Sequence, residues 1–556
     1  MKSKLSNIYP QKWAQIILLL GLCLVLYFPN LNQWDLWNPD EPRYAQVARE
    51  MVQGGDWVLM HYNGDTYNDK PPLFFWLIAL SSYLWWGFSS FSARFPAALF
   101  GTLTVIITFL LGRALYSNRT GFLSALVLGT SFEFVYLATR ANIDTTLTFF
   151  TTASLFCFFK WYSGGKEKVK VEGKVKEKNR FIYGFYVAMA LATLAKGPVG
   201  FILPLLIGLI CLAAQKDWKA MREMKLLPGL LLFMVIVLSW YVPAVLKGGR
   251  EYFEATLLHH SAARFAKGTS HIRPFYYFFY NFPLHFLPWT FFLPAAIACG
   301  FSQGALKKRK EFLYLLAWSV VIFLFFSFSR GKRTLYLLPL FPAVSLMVGK
   351  LWDDFIASPM EHFEQKWISI PLYGLMGVTL AAAGGTLWIA SSRFPSHAVY
   401  VYPVAFLLVG MGVALYVLGR LRRYAIILLV LVGVMGAGFF YTFRVGFPLI
   451  NPLKSARFVS EEILSRIQPG ERVAVYGVPD TGPYNYYTGI MPILELERLE
   501  AVRAFLESEN RVYCLLWNKD LAHYQAIPGW PAAEVISRQR VGHRDIVLVS
   551  NRKDRR

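Results

Sequence analysis

Long apolar runs separated by short polar segments dominate the chain. They fall at approximately 13–29, 72–88, 94–112, 120–138, 145–162, 181–195, 198–214, 227–246, 283–303, 312–329, 335–349, 369–390, 400–418 and 424–443. Several reach the roughly 18 residues a helix needs to cross the hydrocarbon of a bilayer. The pattern predicts a polytopic α-helical membrane protein.

These fourteen runs do not all fit as spans. Lys2, Lys4 and Lys12 set the N-terminus in the cytoplasm, where loops carry the excess of Lys and Arg. With every run crossing, the basic stretches 166–180 ("KEKVKVEGKVKEKNR"), 307–310 ("KKRK") and 419–423 ("GRLRR") would all lie outside. Run 72–88 follows Lys70-Pro71-Pro72 and carries Trp76, Tyr83, Trp85 and Trp86, the composition of an interfacial helix. Laid along the membrane surface, it leaves about 13 transmembrane helices, and the three clusters move inside, together with Arg113, Arg119 and loop 215–226. The external face then holds loop 30–93, loop 139–144, loop 247–280, loop 330–334 and everything from about 444 onward.

The pattern changes in that tail. "RVAVYGV" (472–478), "RVYCLLW" (511–517) and "DIVLVS" (545–550) read as strands, with helical spacing in "LERLEAVRAFLES" (496–508). Strands alternating with a helix predict a small α/β domain. The expected division is a transmembrane catalytic domain, 1–443, whose external loop 30–93 contains interfacial helices, and a periplasmic α/β domain, 444–556.

Composition agrees: 55% of residues are hydrophobic and 16% charged, against about 25% charged in a soluble domain. The formal charge of +23 sits largely in clusters between apolar runs, so it orients helices and suits anionic lipid rather than nucleic acid. None of the five cysteines forms a CxxC, which argues against a disulfide framework or thiolate metal site. The first run lacks a small-residue cleavage site and is expected to remain as an anchor. Stretch 163–180 is a lysine-rich solvated loop, and no internal repeat or glycine-rich phosphate loop is present.

Charge next to lipid is costly and usually faces a protein cavity, so the external polar residues are the candidates for chemistry. In "NPDEPRYA" (38–45), Asp40 and Glu41 follow directly on a span. Capping of a surface helix would explain one of them; a pair of catalytic carboxylates would explain both. In "NDKPP", Lys70 either snorkels or offers an ammonium to a lipid phosphate. Asp144 in "RANIDTTLTFF" is a helix cap, a partner of Arg140 or a site residue. "SRGKRTLYLLPLFPA" (329–343) places Arg330, Lys332 and Arg333 outside, against the positive-inside trend, where phosphate binding gives a reason for them. His259, His260 and His271 share one external loop, with Asp69, Glu41 and Asp40 the other ready metal ligands; an unliganded loop is the plainer alternative.

Taken in order, "WNPDEPRYAQVAREMVQGGDWV", "NDKPPLFFWL", "RANIDTTLTFF", "AKGP" and "RGKRTLYLLPLFPA" resemble the ArnT-like lipid A aminoarabinose transferases and protein O-mannosyltransferases, a group of C-type membrane glycosyltransferases. The similarity covers roughly the first 350 residues. It implies thirteen transmembrane helices and a polyprenyl-phosphate sugar donor, undecaprenyl phosphate in bacteria, as co-substrate. It also implies inverting transfer to lipid A or a related acceptor on the periplasmic face of the bacterial inner membrane. Size and the small extracytoplasmic tail favour the aminoarabinose branch, hence a sugar such as 4-amino-4-deoxy-L-arabinose. By position, Asp40 resembles the key acid and Asp144 the second, with Glu41 beside them; Lys70, Arg333, Arg330 and Tyr336 resemble donor-phosphate contacts. Asp69 matches an acid that, with a loop histidine, holds a divalent metal in such enzymes, and His260 is the matching candidate. Where the family often has Glu followed by His or Asn, this chain has His260 followed by Ser261. A monomer is expected, with membrane lipids and the acceptor as partners and no nucleic acid.

Two other readings compete. A protein O-mannosyltransferase-like enzyme would use a similar donor, but its relatives carry a β-rich insertion between spans. A lipid-linked sugar transporter would be expected to show paired halves and broken helices at mid-bilayer.

Overall fold

The computed structural model describes residues 8–164, 172–256, 271–301, 309–357, 366–393, 395–478, 480–527, 530–531, 533–552. These form two compact units: residues up to 30, 68–74 and 95–442 make the first, and residues 31–67, 75–94 and 443 onward the second.

The first unit is a helical membrane bundle. Among the described residues, eight helices are long and apolar enough to cross a bilayer, or ten if each of two bent pairs counts as one span. Ile143–Gly164 falls outside that set because its membrane length is diluted by Thr145, Thr146, Thr148, Thr151 and Thr152. Buried hydroxyls such as Thr148 and Thr152 return their hydrogen bonds to carbonyls one turn back, at 2.7 Å each. Val199–Ala214, with 16 residues, is a shorter apolar helix. The helix in run 72–88 is Leu73–Leu84, 12 residues long. At 1.5 Å per residue it extends about 18 Å, well short of a bilayer core of about 30 Å.

Small residues let the spans touch. A Cβ on Gly349 would come within 2.6 Å of Ser124 backbone atoms, and one on Gly112 within 2.7 Å of Gly121. The bent pairs are Asn118–Gly129 with Phe132–Ala138, turned by 70°, and Tyr277–His285 with Trp289–Phe301, turned by 112°. Their breaks meet. Phe132 N donates to Leu287 O at 3.0 Å, and Trp289 Nε1 donates to Thr130 Oγ1 at 3.2 Å. Backbone freed by one break is thus satisfied by the other, as a membrane interior demands.

The second unit joins helix Asp40–Gly54, a two-stranded hairpin (β1, His61–Tyr62; β2, Asp65–Thr66) and a mixed sheet. The sheet strands are β3 (Arg472–Tyr476), β4 (Leu494–Leu496), β5 (Val512–Trp517), β6 (Glu534–Val541) and β7 (Arg544–Ser550). Their order is β4-β3-β5-β7-β6, with β4, β3 and β5 parallel and β7 and β6 antiparallel. Alternate side chains feed two cores. Val473, Val475, Tyr513 and Leu515 pack with Ile546 and Leu548 on one face, and Ala474, Cys514 and Leu516 with Val547 and Val549 on the other. The three strands and the helix read from the tail sequence are present. β4, β6 and helix Gly482–Thr488 were not read from it.

Candidate functional site

In the first unit, Asp144 lies in the first turn of Ile143–Gly164, where the helix dipole favours an acid. Lys196 is the last residue of helix Glu172–Lys196. Gly197, at φ +85°, ends that helix in a conformation open to few other residues. The two side chains form an ion pair, with Lys196 13% and Asp144 6% exposed at the side chain. Lys196 Nζ also sits 4.4 Å from the ring centre of Tyr336, in the 3-10 helix Thr334–Leu340. Asp144 and Tyr336 are thus brought together by a residue that was not singled out as a site candidate. Its signal was present: Lys196 is the lysine of "AKGP". Arg140, four residues before Asp144, donates to the Tyr136 hydroxyl.

Lys70 Nζ lies 3.6 Å from Asp69 Oδ2, with both side chains about one-fifth exposed. A side chain at Gly197 would come 4.0 Å from Pro71 Cγ, so the "NDKPP" and "AKGP" segments are neighbours.

The cations of 330–333 divide by environment. Lys332 is buried, and its ammonium donates to the carbonyls of Ser329 and Arg273, the latter at 3.1 Å. Its charge is spent on holding the turn. Residues 271–273 pair with this segment through Lys332 N to His271 O at 3.0 Å and Arg273 N to Arg330 O at 3.2 Å. Arg330 is exposed and Arg333 half-buried. Arg333 precedes the 3-10 helix with extended backbone and makes no side-chain cap. Beside it, Thr334 donates to Glu133 Oε1 at 3.2 Å, while Glu133 Oε2 lies 2.6 Å from His285 Nδ1. Glu133 and His285 were not anticipated from the sequence; each looks like an ordinary residue at the end of an apolar run.

In the second unit, Asp40 and Glu41 open helix Asp40–Gly54. Neither acid occupies the N-cap position of that helix, which is Pro39 and makes no side-chain cap. The two acids have different environments. Asp40 is half-buried, whereas Glu41 is 1% exposed. Glu41 receives Arg94 Nε at 2.7 Å, Arg94 Nη2 at 3.0 Å and the Trp37 amide at 3.1 Å. Two residues on, Arg43 binds Asp480 through Nη2 at 2.8 Å and Nε at 3.2 Å, and Asp480 also accepts from the Tyr62 hydroxyl.

The expected metal pair, Asp69 with His260, has one member outside the described residues. Among the described residues no three His, Cys, Asp or Glu side chains gather as a metal site.

Residues 13–249 match the family described as dolichyl-phosphate-mannose-protein mannosyltransferase. An undecaprenyl phosphate-alpha-4-amino-4-deoxy-L-arabinose arabinosyl transferase of Pectobacterium atrosepticum is 30% identical over 381 residues, covering 67% of this chain and 65% of that protein. An uncharacterised Aquifex aeolicus protein is 30% identical over 346 residues, covering 62% of this chain and 64% of that protein. The chain thus spans less than two thirds of the length of these curated relatives. The crystal structure of ArnT from Cupriavidus metallidurans bound to undecaprenyl phosphate superposes with a TM-score of 0.81 at 21% identity, over 97% of this chain and 98% of that one. The chain is a multi-pass membrane protein whose residues 13–249 are similar to the mannosyltransferase family and which shares the fold of ArnT.

Proposed function

We propose that the chain is an inverting glycosyltransferase. It moves a sugar, 4-amino-4-deoxy-L-arabinose or a close relative, from polyprenyl phosphate to lipid A or a related acceptor on the periplasmic face of a bacterial inner membrane. What carries this reading is the Lys196–Asp144 pair against Tyr336, in a chain with the fold of a protein crystallised with undecaprenyl phosphate. A buried ion pair at the head of a membrane helix is costly, and an anionic, lipid-tethered substrate gives it a use.

In this proposal thirteen helices span, the N-terminus is cytoplasmic and residues from 444 are periplasmic. Lys70 and Arg333, with Arg330 at the rim, bind the donor phosphate and stabilise its growing charge as the C1–O bond breaks. Tyr336 and Lys196 complete that contact. Asp144 orients the sugar. Acceptor oxygen attacks C1 from the opposite face through an oxocarbenium-like state, and the polyprenyl phosphate leaves. A hydroxyl acceptor needs Asp40 as general base. A phosphate acceptor is already anionic, and Asp40 then positions the sugar, including its amino group. Glu41, grouped with Asp40 in the sequence, is assigned to holding helix Asp40–Gly54, because its oxygens are taken by Arg94.

The mannosyltransferase family match over 13–249 favours one second reading, transfer of mannose from a polyprenyl phosphate to protein. Mass spectrometry of lipid A from cells with and without the chain separates the two: an added pentose mass supports the first, and unchanged lipid A supports the second. Asp40→Asn should abolish transfer by purified protein while leaving its insertion and thermal unfolding unchanged. Near-normal transfer by that variant removes Asp40 from the mechanism.

A further inference from the structure

The second unit contains a cavity of about 440 Å³ whose walls include Asp35, Arg49, Phe88, Asn451, Arg457 and Tyr486. None of these belongs to the site described above. The arginines at 43, 49 and 94 are treated differently. Arg43 meets Asp480 at 2.8 Å and Arg94 meets Glu41 at 2.7 Å. Among the described residues no carboxylate lies within ion-pair distance of Arg49.

Arg49 is instead held as a flat donor. Nη1 donates to Tyr486 O at 2.7 Å, and the guanidinium lies 4.3 Å from the Tyr486 ring centre and 5.6 Å from that of Phe88. Burial pulls its pKa down, so an anion alongside would relieve a charge that the protein leaves desolvated. The cavity's acid does not offset it. Asp35 accepts from Asn451 Nδ2 at 2.8 Å and faces Arg457 Nη1 at 3.5 Å. A second observation points to a ligand: Trp34 also lines the cavity, is 2% exposed, and its indole N–H has no hydrogen-bond partner among the described residues. A cation on aromatic faces, a vacant N–H donor, and side-chain amides and hydroxyls from Asn32 and Ser89 at the wall are the groups that read a phosphorylated sugar.

We infer that this cavity is a binding site for the phosphorylated saccharide headgroup of a glycolipid acceptor, with Arg49 on the phosphate and Tyr486 and Trp34 on the sugar. The inference rests on the reading of the chain as a glycosyltransferase with a glycolipid acceptor. Lipid bearing such a headgroup need not enter the cavity beyond its sugars, whose size suits 440 Å³.

The test uses the full chain in lipid nanodiscs and calorimetric titration with three probes: a deacylated bis-phosphorylated glucosamine disaccharide, the same disaccharide without phosphate, and inorganic phosphate. The phosphorylated disaccharide should bind at least tenfold more tightly than either other probe. Arg49→Gln should weaken it at least tenfold. Asn32→Trp, at an exposed position on the wall, should do the same by filling the space, and keeps the test valid if Arg49→Gln fails to fold. Undecaprenyl phosphate binding, titrated in parallel, should be unchanged in both variants. Equal binding of the three probes, or full binding by Asn32→Trp, overturns the site. Donor binding without disaccharide binding overturns the site alone. Disaccharide binding with no donor binding leaves the site standing and removes the transferase reading.

Discussion

Arg94 and Glu41 close a buried knot in which all five guanidinium donors are used. Nε and Nη2 bind the Glu41 carboxylate at 2.7 and 3.0 Å, while Nη1 and Nη2 take the carbonyls of Leu31, Trp34 and Asp35 at 2.7 to 2.9 Å. Trp34 covers the guanidinium at 4.4 Å from its ring centre. The knot fixes where residues 31–37 pass before helix Asp40–Gly54, and hence where Asp40 begins it. Glu41→Gln leaves a cation buried with one neutral partner, which costs on the order of 3–5 kcal/mol. Thermal unfolding in detergent should drop sharply for Glu41→Gln, with transfer lost in proportion to folded protein. A Glu41→Gln enzyme that is stable yet inactive would assign Glu41 to the chemistry instead.

Lys196→Met should reduce transfer by about 100-fold, the scale expected when one preorganised electrostatic group is removed. It also strands Asp144. A double-mutant cycle with Asp144→Asn should show coupling of more than about 1 kcal/mol, because the two are in direct contact. Additive losses would mean that the pair does not act as a unit.

Asp480→Asn should loosen helix Asp40–Gly54 without touching substrate. It weakens the oxygen that Arg43 Nε and Nη2 share and the acceptor for Tyr62. The expected result is a loss of about 1–3 kcal/mol in stability with KM for the donor unchanged. A large rise in donor KM would put Asp480 or Arg43 in the donor site.

Topology can be read with cysteine labelling. In a background lacking the five native cysteines, Gly55→Cys should react from the periplasm and Lys216→Cys only after the inner face is opened. Reaction of both from the same side would mean that run 72–88 crosses the membrane, which its 12-residue helix is too short to do unaided.

What the sequence disclosed depended on how local the cause was. Apolar length and charge placement located the helices, and short apolar runs located β3, β5 and β7. β6 escaped because "EVISRQRV" mixes charges into an edge strand with one partner, β7. Helix Gly482–Thr488 escaped because its opening Gly-Pro reads as a turn. Asp144 was visible as an acid at a helix start, but its partner Lys196 lies 52 residues away at the end of another helix, and no local pattern relates them. The partner of Glu41 was hidden for the same reason: the arginine paired with it is 53 residues downstream.

The helix that begins at Asp40 shares its unit with strands near the C-terminus, and Arg43 meets Asp480 across 437 residues of chain. At about 5–20 residues per second of synthesis, those residues take on the order of 20 to 90 seconds to follow. The proposed general base is therefore among the first groups to leave the ribosome and among the last to gain its final setting. A product truncated before Asp480 would carry helix Asp40–Gly54 without the carboxylate that holds Arg43.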